Sequence, residues 1–164
     1  MSLASVRAHL AAAAPDLAVI VTEARSATVE EAAAAHGVAP GQIAKTLALR
    51  IGTGDGARVV LVVAGGTMRL DNRKARALFG AKVSMLGALE VEALTGHPVG
   101  GVSPFGLATP LPVYCDVSLK GFDEVVPAAG STHSAVRVAP SRLAEIAGAE
   151  WVDLCQAPGE AAAG

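Results

Sequence analysis

The sequence has few aromatic and few charged residues. Phe, Trp and Tyr make up 3% of its 164 residues and charged residues 17%, whereas hydrophobic residues reach 52%. The core must therefore be built from Ala, Val and Leu, and few rings are available for stacking on nucleic-acid bases. The apolar content excludes disorder for most of the chain. The length suits one domain, which we expect at residues 1–156, followed by a disordered tail at 157–164.

The chain also lacks an excess of positive charge. Its formal net charge is −2, whereas proteins that bind nucleic acid over a broad surface are usually basic. Any contact with RNA is therefore expected to be local, weak, or made mostly to the end of the molecule. Sequence-specific binding to DNA is not expected, because no pair of helices resembles a recognition motif.

Cysteines are few and widely separated. Cys115 and Cys155 show no spacing with each other or with histidines that suggests zinc, so we expect no metal site. Two reduced thiols are typical of a cytoplasmic protein, and no apolar run is long enough to span a membrane. Cys115 would need a positioned base to act as a nucleophile, and a packed thiol is the expected state.

Apolar periodicity and capping residues predict helices and strands in irregular order. Helices are expected at 2–14, 28–36, 71–80, 87–95 and 140–147, and strands at 17–22, 43–51, 58–63, 113–116, 122–126, 135–138 and 150–153. Because the order contains no strict βαβ repeat, it favours an α+β fold with a mixed sheet.

Lys45 stands inside a predicted strand of small and apolar residues. Burial of its ammonium is costly unless it meets an anion, carbonyl groups or a pocket. The alternative is a lysine at a strand edge whose side chain reaches water.

A glycine-rich segment, 97–106, is a second candidate. Its paired glycines, Gly100 and Gly101, allow a ligand to approach the backbone closely, and their N–H groups could hold an oxyanion. The alternative is a plain turn.

Two polar groups complete the set of candidates. In the segment 130–134, His133 could act as a base and Ser131 and Thr132 could position water, or the segment could be a hairpin turn with a surface histidine. A basic group is expected to place three arginines on one helical face and to bind phosphates, unless that face is only solvated; it consists of Arg69, Arg73, Lys74 and Arg76.

Taken in chain order, these motifs resemble the YbaK/EbsC family, which comprises the editing domain of prolyl-tRNA synthetase and its free-standing relatives. The segments that carry the resemblance are 26–33, 42–47, 70–71, 100–106 and 111–114, and the resemblance extends from about residue 5 to 155. It implies a mixed, partly barrel-like sheet flanked by helices. It also implies hydrolysis of the ester between a wrong amino acid and the terminal adenosine of a tRNA, without a cofactor.

The resemblance also implies roles for individual residues. Lys45 matches the lysine of the family that holds substrate oxygens, and the segment from Gly100 to Pro104 matches its GxxxP loop, which presents backbone amides to the aminoacyl carbonyl. Residues expected to line the substrate pocket are Ser26, Thr46, Ser103, Pro104, Ser131, Thr132 and His133.

One position departs from part of the family. Members specific for cysteinyl-tRNA carry an acidic residue where Ala135 stands here, so alanine, 2-aminobutyrate or another small residue is an open alternative to cysteine. The expected partner is the acceptor end of an aminoacyl-tRNA, with prolyl-tRNA synthetase as a second candidate, and the protein is a monomer or a homodimer. The competing functions are a module that binds tRNA ends or a synthetase without catalysis, and another small-ester hydrolase that uses Cys115 or His133.

Overall fold

The computed structural model describes residues 2–157, so most of the tail expected at 157–164 lies outside the described residues. In the described part the helices are α1 (Ser2–Ala13), α2 (Val29–His36), α3 (Asn72–Phe79), α4 (Ala88–Thr95) and α5 (Pro140–Ala147). The strands are β1 (Ile20–Val21), β2 (Ile43–Ile51), β3 (Arg58–Gly65), β4 (Arg69–Leu70), β5 (Val83–Met85), β6 (Val113–Asp116), β7 (Val126–Pro127), β8 (Ser134–Ala135), β9 (Glu150–Val152) and β10 (Cys155–Gln156).

The central sheet is mixed, as the sequence predicts. Its strands follow the order β5-β2-β3-β6-β9, and β7 also pairs with β2. The β2–β3 hairpin is antiparallel, with its register running from Ala44↔Gly65 to Ile51↔Arg58. By contrast, β6 is parallel to β3 and β9 is parallel to β6. Two small sheets, β1–β8 and β4–β10, lie beside it.

The hairpin lies at the centre because β3 is apolar on both faces. Its residues 60–64 are fully buried, which is typical of a strand covered by helices on one side and other elements on the other. One core cluster joins Val6 and Leu10 of α1 to Leu143 of α5 and to Phe105. Apart from Phe105 and Cys115, the buried residues of this cluster are valines, leucines and alanines, as the composition predicts.

The helix boundaries follow their capping residues. Thr28 accepts a hydrogen bond from the N–H of Glu31, whose carboxylate accepts in return, and this confirms the predicted capping box. Asp71 caps α3, as expected. Gly37 and Gly80 end their helices in the left-handed conformation, which glycine adopts without strain.

The short strands differ from the predictions. The run predicted at 17–22 pairs only at β1, and the strands predicted at 122–126 and 135–138 are reduced to β7, β8 and the isolated bridge Val125↔Val138. The strands β4, β5 and β10 were not predicted. Each is too short to show an alternating pattern, so its existence depends on a partner that is distant in sequence.

Candidate active site

A cavity of about 350 Å³ lies beside β2, at a place where the sheet has a gap. On the side away from β3, β2 pairs with β7 at Ile43 and Ala44 and with β5 from Leu49 to Ile51. Residues 45–47 face no strand on that side within the described chain. The wall comes from α2, β2, the end of β5, the start of α4, the glycine-rich loop and the β7–β8 region.

Most of the wall is small and apolar. Alanines dominate it, joined by a few valines and by Met85 and Leu86; the alanines are Ala27, Ala32, Ala44, Ala48, Ala88, Ala128 and Ala135. Met85 and Val99 are both exposed and line the mouth. The surface of the cavity is therefore mostly apolar.

Lys45 lines the cavity and is half-buried. Its ammonium donates to the carbonyl oxygens of Gly66, at 3.3 Å, and of Met68. Burial lowers the pKa of Lys45, and the nearby Cys155 acts in the opposite direction. An ammonium has three N–H donors, so the two carbonyls leave one for a ligand. The expectation that carbonyl groups would offset the cost of burial therefore matches the structure.

The two glycines of the predicted oxyanion loop have different positions. Gly100 has φ +87°, and a Cβ there would lie 2.7 Å from the Cβ of Ala27. The N–H of Gly101 donates to the carbonyl oxygen of Pro98 at 2.9 Å, so it is engaged in a turn. Gly100 and Val102 line the cavity, and their N–H groups have no partner within residues 2–157. Gly100 is therefore the member of the predicted pair whose N–H is available.

The loop is held to α1 by two histidines. Nε2 of the buried His97 bonds the carbonyl oxygen of Phe105 at 2.8 Å, and Nδ1 contacts the hydroxyl of Ser2. A carbonyl can only accept, so Nε2 carries the proton and Nδ1 accepts from Ser2. Nδ1 of His9 accepts from the N–H of Gly106 at 2.8 Å. Both rings therefore serve as neutral hydrogen-bonding groups.

We expect the free energy of unfolding to decrease as the pH falls below the ordinary histidine pKa of about 6.5. Burial lowers the pKa of His97 and also that of His36. In that pH range the unfolded chain binds protons that the folded chain does not, so acid favours unfolding. Thermal unfolding between about pH 5 and about pH 8 measures the effect. The variant His97→Gln is expected to flatten the dependence without abolishing it, and an unchanged slope would contradict the assignment.

The hydroxyl groups on the cavity wall differ in their hydrogen bonds. The Ser26 hydroxyl donates to the carbonyl oxygen of Thr132 at 3.2 Å, and the Ser134 hydroxyl bonds that of Ser131 at 2.6 Å. The hydroxyl of Thr28 caps α2. By contrast, Oγ1 of Thr46 is buried and has no partner within the described residues.

Replacing Thr46 with valine is expected to stabilise the protein. The change removes a buried hydroxyl without a partner and keeps the side-chain shape, so unfolding should cost about 1 kcal/mol more and Tm should rise by about 2–4 °C. Thr28→Val is the matched control, because it deletes a cap and should destabilise by about 1 kcal/mol. Thermal melts of the two variants test the contrast, and a lower Tm for Thr46→Val would show that the hydroxyl is satisfied.

Several residues predicted to contact substrate lie behind the wall. Ser103 is fully buried, its hydroxyl accepts from the N–H of Phe105, and Pro104 is buried beside it. Ser131 and Thr132 support the wall through their bonds to its serines. His133 is exposed, and none of these side chains lines the cavity. Of the predicted contact residues, the cavity brings together Ser26, Lys45, Thr46 and Gly100.

The basic group is split between two elements. Arg69 lies in β4, whereas α3 begins at Asn72, so the prediction of one helical face shared by three arginines is wrong. Nζ of Lys74 is held by Asp153 at 3.0 Å and by the carbonyl oxygen of Cys155 at 3.0 Å. The exposed arginines Arg69, Arg73 and Arg76 form no ion pair within the described residues.

Sequence reasoning missed most of the apolar wall. Val91, Val102, Val126 and Ala128 line the cavity, but their sequence patterns do not differ from those of core residues. Ser134 belongs to the candidate segment 130–134, in which the sequence predicts Ser131, Thr132 and His133 as the pocket residues. With two residues, β8 is too short for an alternating pattern that could have identified it.

No group of three or more histidine, cysteine or acidic residues in the described chain could hold a metal ion. Within residues 2–157, no helix is long and apolar enough to cross a membrane.

The family model that matches residues 23–146 is described as the aminoacyl-tRNA editing domain. The chain belongs to this family. It is 46% identical over 157 residues to YwhH of Bacillus subtilis, a protein of uncharacterised function, and the match covers 95% of this chain and 98% of YwhH. It is 28% identical over 128 residues to Enterococcus faecalis EbsC, a candidate Cys-tRNA(Pro)/Cys-tRNA(Cys) deacylase, covering 77% and 76% of the two chains.

The fold is similar to that of a solved structure described as an editing enzyme. A crystal structure of a candidate trans-editing enzyme for prolyl-tRNA synthetase matches with a TM-score of 0.85 and 36% identity, over 94% of this chain and 97% of that one. The expected YbaK/EbsC type, the α+β fold class and the enzyme class, an aminoacyl-tRNA deacylase, are thereby confirmed.

Proposed function

We propose that the protein hydrolyses tRNA(Pro) charged with a small wrong amino acid, alanine or 2-aminobutyrate in the first place and cysteine as the alternative. The observation that carries the proposal is the cavity, whose wall combines Lys45 and Gly100 with seven alanines. The two carbonyl groups that bind the Lys45 ammonium leave one of its N–H donors for a ligand. The cavity volume of about 350 Å³ is within the usual range of small-molecule sites. The similarity to EbsC, a candidate Cys-tRNA(Pro)/Cys-tRNA(Cys) deacylase, supports mischarged tRNA(Pro) as the class of substrate.

The site supports a direct attack by water on the ester carbonyl. The N–H of Gly100 stabilises the oxyanion as it forms, and Lys45 anchors the terminal nucleotide or polarises the carbonyl. The bond between the acyl carbon and the ribose oxygen then breaks. A neighbouring ribose hydroxyl helps to move the proton to the leaving oxygen, and the products are the free amino acid and uncharged tRNA.

A cysteine nucleophile is disfavoured by burial of both thiols. Burial raises the pKa of Cys115 to about 12 and that of Cys155 to about 12. The thiolate is the reactive form, and it is scarce at neutral pH for both residues. This argues against the hydrolase that would use Cys115.

Ala135 bears on which amino acid is removed. Its side chain lies in the cavity wall, where cysteine-specific relatives were expected to carry an acid, and no acidic residue lines the described cavity. A wall of small side chains without a carboxylate favours an aliphatic substrate such as alanine over cysteine. Size alone discriminates weakly, since one methylene is worth about 1–3 kcal/mol in an apolar pocket.

The exposed arginines Arg69, Arg73 and Arg76 are proposed to contact phosphates of the acceptor end.

Proline–tRNA ligase of Desulfovibrio desulfuricans contains a segment 31% identical to this chain, which covers 77% of this chain and 21% of the ligase. A domain of this kind fits trans-editing in the cytoplasm beside prolyl-tRNA synthetase.

The test is deacylation of tRNA(Pro) charged separately with alanine, 2-aminobutyrate, cysteine and proline, each compared with its uncatalysed rate. We expect rapid loss of alanine or 2-aminobutyrate and no loss of proline. The competing function, binding without catalysis, predicts slower loss than in buffer because the bound ester is protected. No acceleration for any of the four esters would contradict the proposal.

A further inference from the structure

The main chain of Thr46 is directed into the gap of the sheet. In an antiparallel pair, alternate residues direct both N–H and C=O towards or away from the partner strand. The carbonyl of Ala48 accepts from the N–H of Leu86 at 3.1 Å, on the side away from β3. The β2–β3 register has no interruption from Ala44 to Ile51. Thr46, two residues before Ala48, therefore directs its N–H and C=O away from β3 as well.

No strand lies opposite Thr46 on that side in the described chain. Pairing with β7 ends at Ala44, and pairing with β5 starts at Leu49. The cavity occupies the space between them, and Thr46 is part of its wall. Unpaired main-chain groups inside a protein are rare, and a free strand edge is a template for pairing with another segment.

The charges around the cavity restrict how an aminoacyl group can bind. Lys45 is the one charged residue of the described wall, and no carboxylate is available for a positive α-ammonium. Such a group must then be held by neutral acceptors. Successive side chains of a strand point to opposite faces, and the Lys45 ammonium is bound to Gly66 and Met68. The Lys45 ammonium therefore lies on one face of the sheet. A substrate α-ammonium that binds Thr46 lies in the plane of the sheet, so the two positive charges are kept apart.

We propose that the aminoacyl group fills the gap as a one-residue β-bridge to Thr46. Its α-ammonium donates to the carbonyl of Thr46, and its ester carbonyl accepts from the N–H of Thr46. In an antiparallel ladder, two opposite residues that form both N–H···O hydrogen bonds with each other are a hydrogen-bonded pair. The aminoacyl group and Thr46 form a pair of this kind. This inference rests on the proposed function and deepens it.

The bridge also supplies a second donor for the reaction. The N–H of Gly101 donates to the carbonyl oxygen of Pro98, so the donor from the glycine-rich loop is the N–H of Gly100. The N–H of Thr46 is the second donor to the ester carbonyl oxygen and comes from the strand. A carbonyl oxygen has two lone pairs. Both hydrogen bonds strengthen as the oxygen becomes negative, and the strand edge thereby contributes to stabilising the oxyanion.

The pairing further fixes the direction of the substrate side chain. Directly paired residues place their side chains on the same face of a sheet. An L-aminoacyl group is then directed to the face of β2 that carries Ala44, Thr46 and Ala48. Two of these three side chains are methyl groups, so this face accommodates a small substrate side chain.

The first experiment follows backbone amides by NMR in the isotope-labelled full chain. The probe is 3′-deoxy-3′-(L-alanylamino)adenosine, an amide that keeps the α-ammonium and the carbonyl and is not hydrolysed. We expect the amide proton of Thr46 to move downfield and to become protected from exchange, together with that of Gly100. The amide of Gly56, in the exposed β2–β3 turn, is the internal control and should not move. A shift at Gly100 without one at Thr46 would overturn the bridge and leave the proposed function intact.

The second experiment needs no tight binding of the probe. Alanyl-tRNA(Pro) is compared with propionyl-tRNA(Pro), which lacks the α-ammonium, and each kcat/KM is divided by the rate of alkaline hydrolysis of the same ester. Loss of a hydrogen bond from a charged donor predicts a normalised rate about ten-fold to a hundred-fold lower for the propionyl ester. Equal normalised rates would overturn the bridge. Absence of catalysis with both esters would instead remove the proposed function itself.

Discussion

Replacing Lys45 with methionine is expected to lower kcat/KM for mischarged tRNA by about 10²–10³-fold, the usual effect of losing one donor to the reacting oxygens. Methionine keeps the length of the side chain but has no N–H group, so the cavity retains its shape. The carbonyls of Gly66 and Met68, which bind the ammonium, lie beside a partly exposed site and can turn to water. Lys45→Met should therefore lower kcat/KM strongly and the free energy of unfolding much less.

Lys82→Met is the matched control for that experiment. Lys82 is exposed and does not line the cavity, so its variant should deacylate at the wild-type rate. Far-ultraviolet circular dichroism and Tm establish that both variants are folded. A folded Lys45→Met protein with full activity would exclude Lys45 from the reaction and leave the backbone donors to account for catalysis.

Gly100→Ala is expected to cost about 10²-fold in activity together with about 1–3 kcal/mol in stability. The stability loss arises because a side chain at φ +87° is strained. The loss in activity arises because the new Cβ would lie 2.7 Å from that of Ala27, so the loop must move. A displacement of about 1 Å of a group that positions substrate is enough for a loss of this size. Single-turnover deacylation and thermal melts measure the two effects separately.

Two further variants make that prediction specific. At Gly56 an added Cβ meets no atom within 4 Å, and its φ is ordinary, so Gly56→Ala should be neutral. The double variant Gly100→Ala with Ala27→Gly removes the closest contact and should recover part of the activity, while the φ strain persists. No recovery would show that the loop is displaced by strain alone. Full activity in Gly100→Ala would contradict the role of the Gly100 N–H.

The elements with strong local signals could be predicted from the sequence. The capping box at Thr28 and the long apolar runs of β2 and β3 determine their own structure, so their bounds agree with the prediction to within about two residues. Lys45 could be identified as a candidate because an ammonium in an apolar strand is costly, and the structure places this residue in the cavity wall. For the remaining motifs, the expected roles came from the resemblance to the YbaK/EbsC family.

The rest depends on contacts between distant segments. The gap in the sheet exists because β5 and β7 stop on either side of residues 45–47, and no local pattern reports where a partner strand ends. The difference between Gly100 and Gly101 depends on a single turn hydrogen bond to Pro98. Arg69 appeared to belong with Arg73 because helical spacing ignores the start of α3 at Asn72.

The long-range closure of the cavity has a consequence for the order of folding. The β1–β8 pair places Ile20 opposite Ala135, which lines the cavity. The Ser26 hydroxyl donates to the carbonyl oxygen of Thr132, 106 positions away. Contacts of such high sequence separation slow folding, because the loop must close before they form. During synthesis the early segment must wait until the β7–β8 region has left the ribosome. The β2–β3 hairpin can form first, and the cavity is then among the last parts of the molecule to be completed.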